Sequence, residues 1–341
     1  HSNFGFLLGA TASWEIDAWR KLHTLKDAAY TKYLSSIEGK NFMITTLIAE
    51  IANSYYELTA LDRLLEIIQQ NIVIQSDALR VVHMQKDAAK VSQLAVNRFE
   101  AQLLNTENLQ FEIKQKIIET ENRINYLCGR FPAPLQRSAL DFYNLSVDSV
   151  KTGIPSLLLA NRPDIRQAEK ELVAAKLNVR AARANFYPSV RITARSGFQS
   201  FNPLHVVNPA ALIYNLAGDL MAPLVNKKAI TATYANANAT QIQAMYKYEQ
   251  TILNAYVHVM NELAKIENYS QSYNSKLKQV NILIQSITIA NNLFNSARAD
   301  YNEVLLTQRE VLESKMELIE IKMKQINAKI NIYKALGGGW N

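Results

Sequence analysis

The residue types that most often carry out chemistry are present, but their spacing gives them nothing to do together. The only cysteine is Cys128, which excludes an intramolecular disulfide framework and a thiolate zinc site. The five histidines, His1, His23, His83, His205 and His258, are scattered, and no two stand at the i, i+4 spacing of a metal-binding helix. Ser, His and Asp fall on extended helical stretches, where a nucleophile, a base and an orienting acid do not converge. No catalytic residue, metal or other cofactor is expected, and the chain does not read as an enzyme. What remains is charge set out by alternation. Arg191, Thr193, Arg195 and Gln199 share one face of a segment whose other face carries Val190, Ile192, Ala194 and Phe198. Such a segment separates water from something apolar.

That alternation has period two, so the segment 189–200 is expected to be a strand. Residues 4–17 alternate as well, with Phe6, Leu8, Ala10, Ala12 and Trp14 opposite Leu7, Gly9, Thr11, Ser13 and Glu15. A third strand is expected over 211–222, where Leu212, Tyr214, Leu216 and Leu220 oppose Asn215, Ala217 and Asp219. Strands of this length and polarity fit an outer-membrane β-barrel with a wet lumen. Being short and few, they also fit a small soluble sheet capping a helical bundle, as in a coiled-coil scaffold or adaptor without a pore.

The rest of the chain has to be helix. Of 341 residues only 10 are Gly and 8 are Pro, and neither type occurs in 40–128 or 224–336. Folds that turn every few residues need those residues, so a Rossmann domain, a TIM barrel and a β-sandwich are excluded. Ile44, Ile48, Ile51, Tyr55, Leu58, Leu65, Ile68 and Ile72 step by threes and fours or their sums, as one face of a packed helix does. Leu312, Met316, Ile319, Met323, Ile326, Ile330 and Tyr333 form a coiled-coil seam. The net charge of +7 comes from Lys and Arg interspersed with Asp and Glu, which reads as solvated helix surface and not as a nucleic-acid site. No run approaches 18 consecutive apolar residues, so no transmembrane helix is expected.

The two long stretches resemble each other. Residues 49–58 match 253–263, and Arg98–Leu109 matches Asp300–Val311. Both halves then run to a Leu and Gly ending, at 126–129 and 335–340. Three matches in one order, at an offset of about 202 to 209 positions, indicate an internal duplication.

Four segments carry a resemblance to a known family: Ala-Ser-Trp-Glu-Ile-Asp-Ala-Trp-Arg-Lys (12–21), Asn-Arg-Pro-Asp-Ile-Arg-Gln-Ala-Glu (161–169), Phe-Tyr-Pro-Ser-Val (186–190) and Ala-Leu-Gly-Gly-Gly-Trp (335–340). Together they resemble the TolC/OprM-like outer-membrane efflux proteins, in particular the lipoprotein branch serving RND-type pumps. The resemblance implies a mainly α fold in which very long antiparallel helices form an α-barrel tunnel. A small antiparallel β-barrel portion continues it in the outer membrane, and the assembly is an internally duplicated homotrimer. It further implies passive export of small molecules, with a periplasmic adaptor protein, an inner-membrane pump and outer-membrane lipid as partners.

On this plan residues 1–17 are a barrel strand, 18–129 the first long helical hairpin and 130–155 an equatorial segment. An ascending helix fills 156–186, a barrel hairpin 187–222 and the second long helical hairpin 223–341. A continuous helix from Ala18 to Ala101 would run about 126 Å, with a short return over 103–128. The second arm is expected over 224–303, with its return over 305–336. By symmetry, about a hundred residues with a further strand are expected to precede His1.

The resemblance also assigns roles. The turns between long helices, aligned by the repeat at Gln102-Leu103-Leu104-Asn105 and Val304-Leu305-Leu306-Thr307, would dock the adaptor. Gln102 and Val304 stand where the family usually has glycine. Glu310 and Glu313 would line a constricted periplasmic aperture as rings of three, or else lie on a solvated helix face. Arg191, Thr193, Arg195 and Gln199 would face the barrel lumen. Trp14, Asp17, Trp19, Tyr187 and Pro223 would mark the strand–helix junctions, as an aromatic belt or as plain packing.

Overall fold

The computed structural model describes residues 6–137, 142, 161–200, 209, 212–222, 226–296 and 298–339. Strand β1 (Phe6–Ile16) leads into α1 (Lys21–Asp87) and α2 (Gln93–Leu127). Then follow α3 (Pro163–Ala184), β2 (Ser189–Ser200), β3 (Leu212–Met221), α4 (Lys227–Asn295) and α5 (Tyr301–Ala335). The mainly α fold and the small antiparallel sheet expected from sequence are both present. Pro223, most of 130–155 and the start of the ascending helix lie outside the described residues.

The chain divides into two compact units, one from residues 1–40 and 163–253, the other from 41–162 and 254–341. In the first, β1, β2 and β3 form one antiparallel sheet in that order. The Arg-Pro-Asp-Ile-Arg segment builds the start of α3. Pro163 occupies its first position, where the missing N–H costs no hydrogen bond. Arg166 reaches the nearly buried Glu38 on α1 at 2.8 Å.

The second unit holds the main core. Leu58, Leu61, Leu64 and Ile68 of α1 pack with Ile113, Ile117 and Ile124 of α2 and with Leu312, Ile319 and Ile326 of α5. The expected seam on α5 is therefore the packed one, although Tyr333 at its end is exposed. Phe142, fully buried, enters the same cluster. The segment before it is tied down by polar groups. Arg137 pairs with Asp62 at 2.6 Å and Glu121 at 3.2 Å, and the Asn125 amide donates to the carbonyl of Ala133 at 2.7 Å. Burial pushes the Asp62 carboxyl above its ordinary pKa, against the pull of Arg137.

The duplication is sharper in three dimensions than in sequence. α2 and α5 each have 35 residues. Their N-caps, Ser92 and Asp300, are 208 positions apart, and so are Gly129 and Gly337 beyond their C-termini. Both glycines have positive φ, 67° and 86°, which a side chain would disfavour. Both ends close alike: Gly129 N–H donates to Tyr126 and Arg130 N–H to Asn125, as Gly337 does to Lys334 and Gly338 to Tyr333. This is the Schellman arrangement. Arg162 donates to the carbonyl of Ala335 at 2.8 Å, placing a fixed cation at the negative end of α5.

Two expected boundaries are corrected. The first long helix ends at Asp87, not Ala101, and the return begins at Gln93. The second ends at Asn295, not Glu303, and its return begins at Tyr301. Gln102-Leu103-Leu104-Asn105 thus lies inside α2 and Val304-Leu305-Leu306-Thr307 inside the first turns of α5. The first is displaced six residues further than the second, because Arg98 was paired with Asp300 whereas the constant offset of 208 pairs Val96 with Val304, both buried.

The first turn is made without glycine. Ala89 takes a φ of 53°, a left-handed conformation that costs an L-residue about 1–2 kcal/mol. Ala89→Gly is therefore expected to stabilise the hairpin by about 1 kcal/mol, and Ala89→Val to destabilise it. Urea unfolding of the purified protein in detergent checks both signs; equal midpoints would refute the strain.

Candidate functional site

Three structural features could serve a conduit: the sheet, its junction with the helices, and the two turns. The sheet register sorts side chains by polarity. Ala12 faces Ala194, which faces Leu216, and Trp14 faces Ile192. One residue along, Glu15 faces Arg191, which faces Asp219, and Thr11 faces Arg195, which faces Asn215. The Arg191 guanidinium lies 3.8 Å from Glu15. Because side chains alternate, this register puts apolar partners on one face and polar partners on the other across all three strands. Arg191, Thr193, Arg195 and Gln199 do share the polar face, although Gln199 sits opposite Leu7.

Among the described residues, neither face of the sheet is covered. Trp14, Tyr214, Leu216 and Leu220 are between 64% and 86% exposed, and every residue of β3 is exposed. Among the described residues, β1 and β3 each keep one edge without a strand partner. An apolar sheet face and two open edges of this size call for lipid or further strands. No described helix is long and apolar enough to cross a membrane.

At the junction, Asp17 caps α1. Its carboxylate accepts the backbone N–H groups of Leu22 and His23, both at 2.9 Å, and lies 2.6 Å from the His23 Nδ1. Desolvation would raise its pKa, but these hydrogen bonds and the imidazole outweigh it and bring the value down to about 2. A depressed carboxylate contributes stability above its unfolded value near 3.9 and loses it as pH falls through about 2. The Trp19 indole donates to the carbonyl of Pro188 at 2.7 Å, and its ring stacks on Tyr187 at 4.8 Å. Asp17, Trp19 and Tyr187 are thus junction residues, whereas Trp14 sits on the sheet. An open crevice of about 550 Å³ runs beside them, reaching Asn226 and Ile230 of the α4 start.

Near the turns, Val82, Ala95, Val96, Phe99, Ala290 and Val304 make one buried cluster that binds both helical hairpins side by side. Arg98 donates to Asn302 at 2.7 Å across them. Gln102, Leu305 and Leu306 line an open cleft with Arg98, Asn302 and Arg309. Glu310 and Glu313 are exposed on α5. Glu313 has Arg309 at 3.6 Å, but Glu310 has no cationic partner among the described residues. The turn itself was missed in the sequence, although Ser92 and Asp300, the latter followed by Glu303, are N-cap residue types at the right spacing.

Known proteins share this combination of a small sheet and long helical hairpins. The sequence model of the family described as outer membrane efflux protein matches residues 4–130 and 154–338. The chain belongs to the outer membrane efflux protein family. A relative in this family, the solvent efflux pump outer membrane protein SrpC of Pseudomonas putida, is 27% identical over 98% of this chain and 72% of its own length. The cation efflux system protein CusC of Escherichia coli is 25% identical over 98% and 73%. Among solved structures, the open-state MtrE outer membrane channel of Neisseria gonorrhoeae superposes with a TM-score of 0.90 at 22% identity, covering 99% of this chain and 76% of that one. As an outer membrane efflux protein the chain is an outer-membrane channel for export and not a soluble scaffold. The family is one of transport channels, and its chemistry is passage.

Proposed function

We propose that this protein is the passive exit duct of a tripartite efflux system, working as a homotrimer in which the sheet of each copy forms part of one barrel. The observation that carries the reading is the sheet register, which separates polar from apolar side chains on a sheet whose edges and faces are open among the described residues. Closure into a barrel satisfies the edges, places Arg191, Thr193, Arg195 and Gln199 in the lumen, and turns the apolar face to lipid. The turns at 88–92 and 296–300, with the nearby cleft at Gln102, Leu305 and Leu306, are the proposed contact for a periplasmic adaptor. An inner-membrane pump of the RND type would supply the energy. Of the other residues expected at the tips, Leu103, Leu104, Asn105 and Thr307 stand outside that cleft lining and Val304 is buried, so the proposed adaptor contact shifts toward the turns.

Glu310 and Glu313 are the proposed aperture, with Glu310 dominant because Arg309 offsets Glu313. Three unpaired carboxylates around a narrow mouth attract cations. Glu310→Gln is expected to lower cation selectivity in single-channel recordings more than Glu313→Gln does. Sedimentation in detergent should give a trimer. A monomer without conductance would overturn the duct; unchanged selectivity in the double variant would move the aperture elsewhere.

A further inference from the structure

We infer that the junction between sheet and helices is a cationic collar that binds the anionic phosphate headgroups of the lipid leaflet around the barrel. This rests on the proposed placement of the sheet in lipid. The observation is where the charge of the molecule sits. On the α1 side of the junction stand Arg20, just before the helix, and Lys21 and Lys26 within about its first two turns. At its C-terminal end α3 carries Lys176, Arg180 and Arg183, spaced to share one stripe. On α4 the first two residues are Lys227 and Lys228. Against these eight cations the same turns hold only Asp17 and Asp27, and Asp17 is already occupied by two backbone N–H groups and His23. The chain as a whole is +7, so this one level accounts for nearly all of its net charge.

The cations are also unpaired. Elsewhere Arg63, Arg123, Arg137, Arg166, Lys265 and Lys276 each hold a carboxylate. Among the described residues, none of the eight collar cations has an acidic partner, and seven of them are exposed, with Lys21 half-buried. Glu15 and Asp219 lie nearby but belong to the polar sheet face, beside Arg191. The three helix ends meet at one level: Trp19 bonds to Pro188, and the adjoining crevice reaches Asn226 and Ile230.

The chemistry fits a bilayer surface better than a free anion. The collar adjoins the apolar sheet face, and it carries exposed Trp19, Tyr187, Tyr30 and Tyr33. Amphipathic rings beside cations are the side chains that settle at the headgroup level. Each Lys or Arg near an anionic surface adds about 1 kcal/mol of attraction, so a stripe of three is a substantial anchor.

The test uses the purified full-length protein in nanodiscs of phosphatidylethanolamine, titrated with phosphatidylglycerol and read by native mass spectrometry. The variant Lys176→Gln/Arg180→Gln/Arg183→Gln removes the α3 stripe; Lys116→Gln/Lys278→Gln/Lys324→Gln removes three exposed cations from other helices. Phosphatidylglycerol affinity is expected to fall roughly a hundredfold in the first variant and to stay unchanged in the second. Equal affinity in both variants would overturn the collar. So would a stripe variant that alters ion selectivity but not lipid binding, which would place these cations on the inner wall. Wild-type conductance in planar bilayers separates the premises: conductance with indifferent lipid binding sinks the collar alone, whereas no conductance sinks the duct.

Discussion

Replacing Phe142 by alanine is expected to cost about 3–5 kcal/mol, the range for removing a buried aromatic side chain from a core. Phe142 is fully buried in the cluster that joins α1, α2 and α5. It reaches that cluster from a segment outside the long helices, so it acts as a plug where three of them meet. The cavity would be hard to refill, because Leu58, Ile68, Ile117 and Ile319 are held on stiff helices that cannot collapse independently. A paired variant makes the test specific. Phe131 lies eleven positions earlier and is 92% exposed, so Phe131→Ala should leave stability nearly unchanged. Urea or thermal unfolding in detergent compares the two. Equal midpoints would show that Phe142 contributes no more than a surface ring.

The second large effect concerns the sheet. Ala194 sits at the centre of the apolar face, between Ala12 and Leu216. Ala194→Arg would put a charge against lipid in each copy, at about 2–4 kcal/mol near the bilayer midplane. Thr193→Arg, one residue earlier, would point into the proposed lumen beside Ser13 and Ala217. The first variant is expected to be nearly absent from isolated outer membranes, and the second to accumulate and conduct. If both accumulate equally, the two faces do not differ in environment, and the sheet is not a membrane barrel.

Strands and seams were legible because each leaves a period in the side chains. The alternation at 189–200 and the four-three steps from Leu312 to Ile330 reappear as a register and a packed face. The turns were harder to place. A helix reversal usually shows itself by glycine or proline, and Ala88–Ser92 has neither, because Ala89 accepts a strained conformation instead. The repeat then pulled the first turn six residues further downstream than the second, through a similar-looking but misaligned Arg98 segment. Phe142 was invisible for another reason: nothing in its local sequence distinguishes a loop aromatic that is buried from one, like Phe131, that is not. The junction lay between these cases. Asp17, Trp19 and Tyr187 were singled out by type, but the cap on α1 and the indole bond to Pro188 required the fold.

The equality of the two 35-residue arms bears on how such a chain can change over generations. Each added residue turns everything beyond it by about 100° on a helix of 3.6 residues per turn. A single insertion within α2 or α5 would therefore swing Ile113 or Ile319 away from its neighbours and expose the whole seam. Seven residues, close to two full turns, restore the facing to within about 20°. Even then the facing arm must lengthen to match, and so must its counterpart in the other half if the turns are to stay level. Length change in these hairpins is thus confined to coordinated steps of two turns, while single-residue insertions are filtered out everywhere except at 88–92 and 296–300.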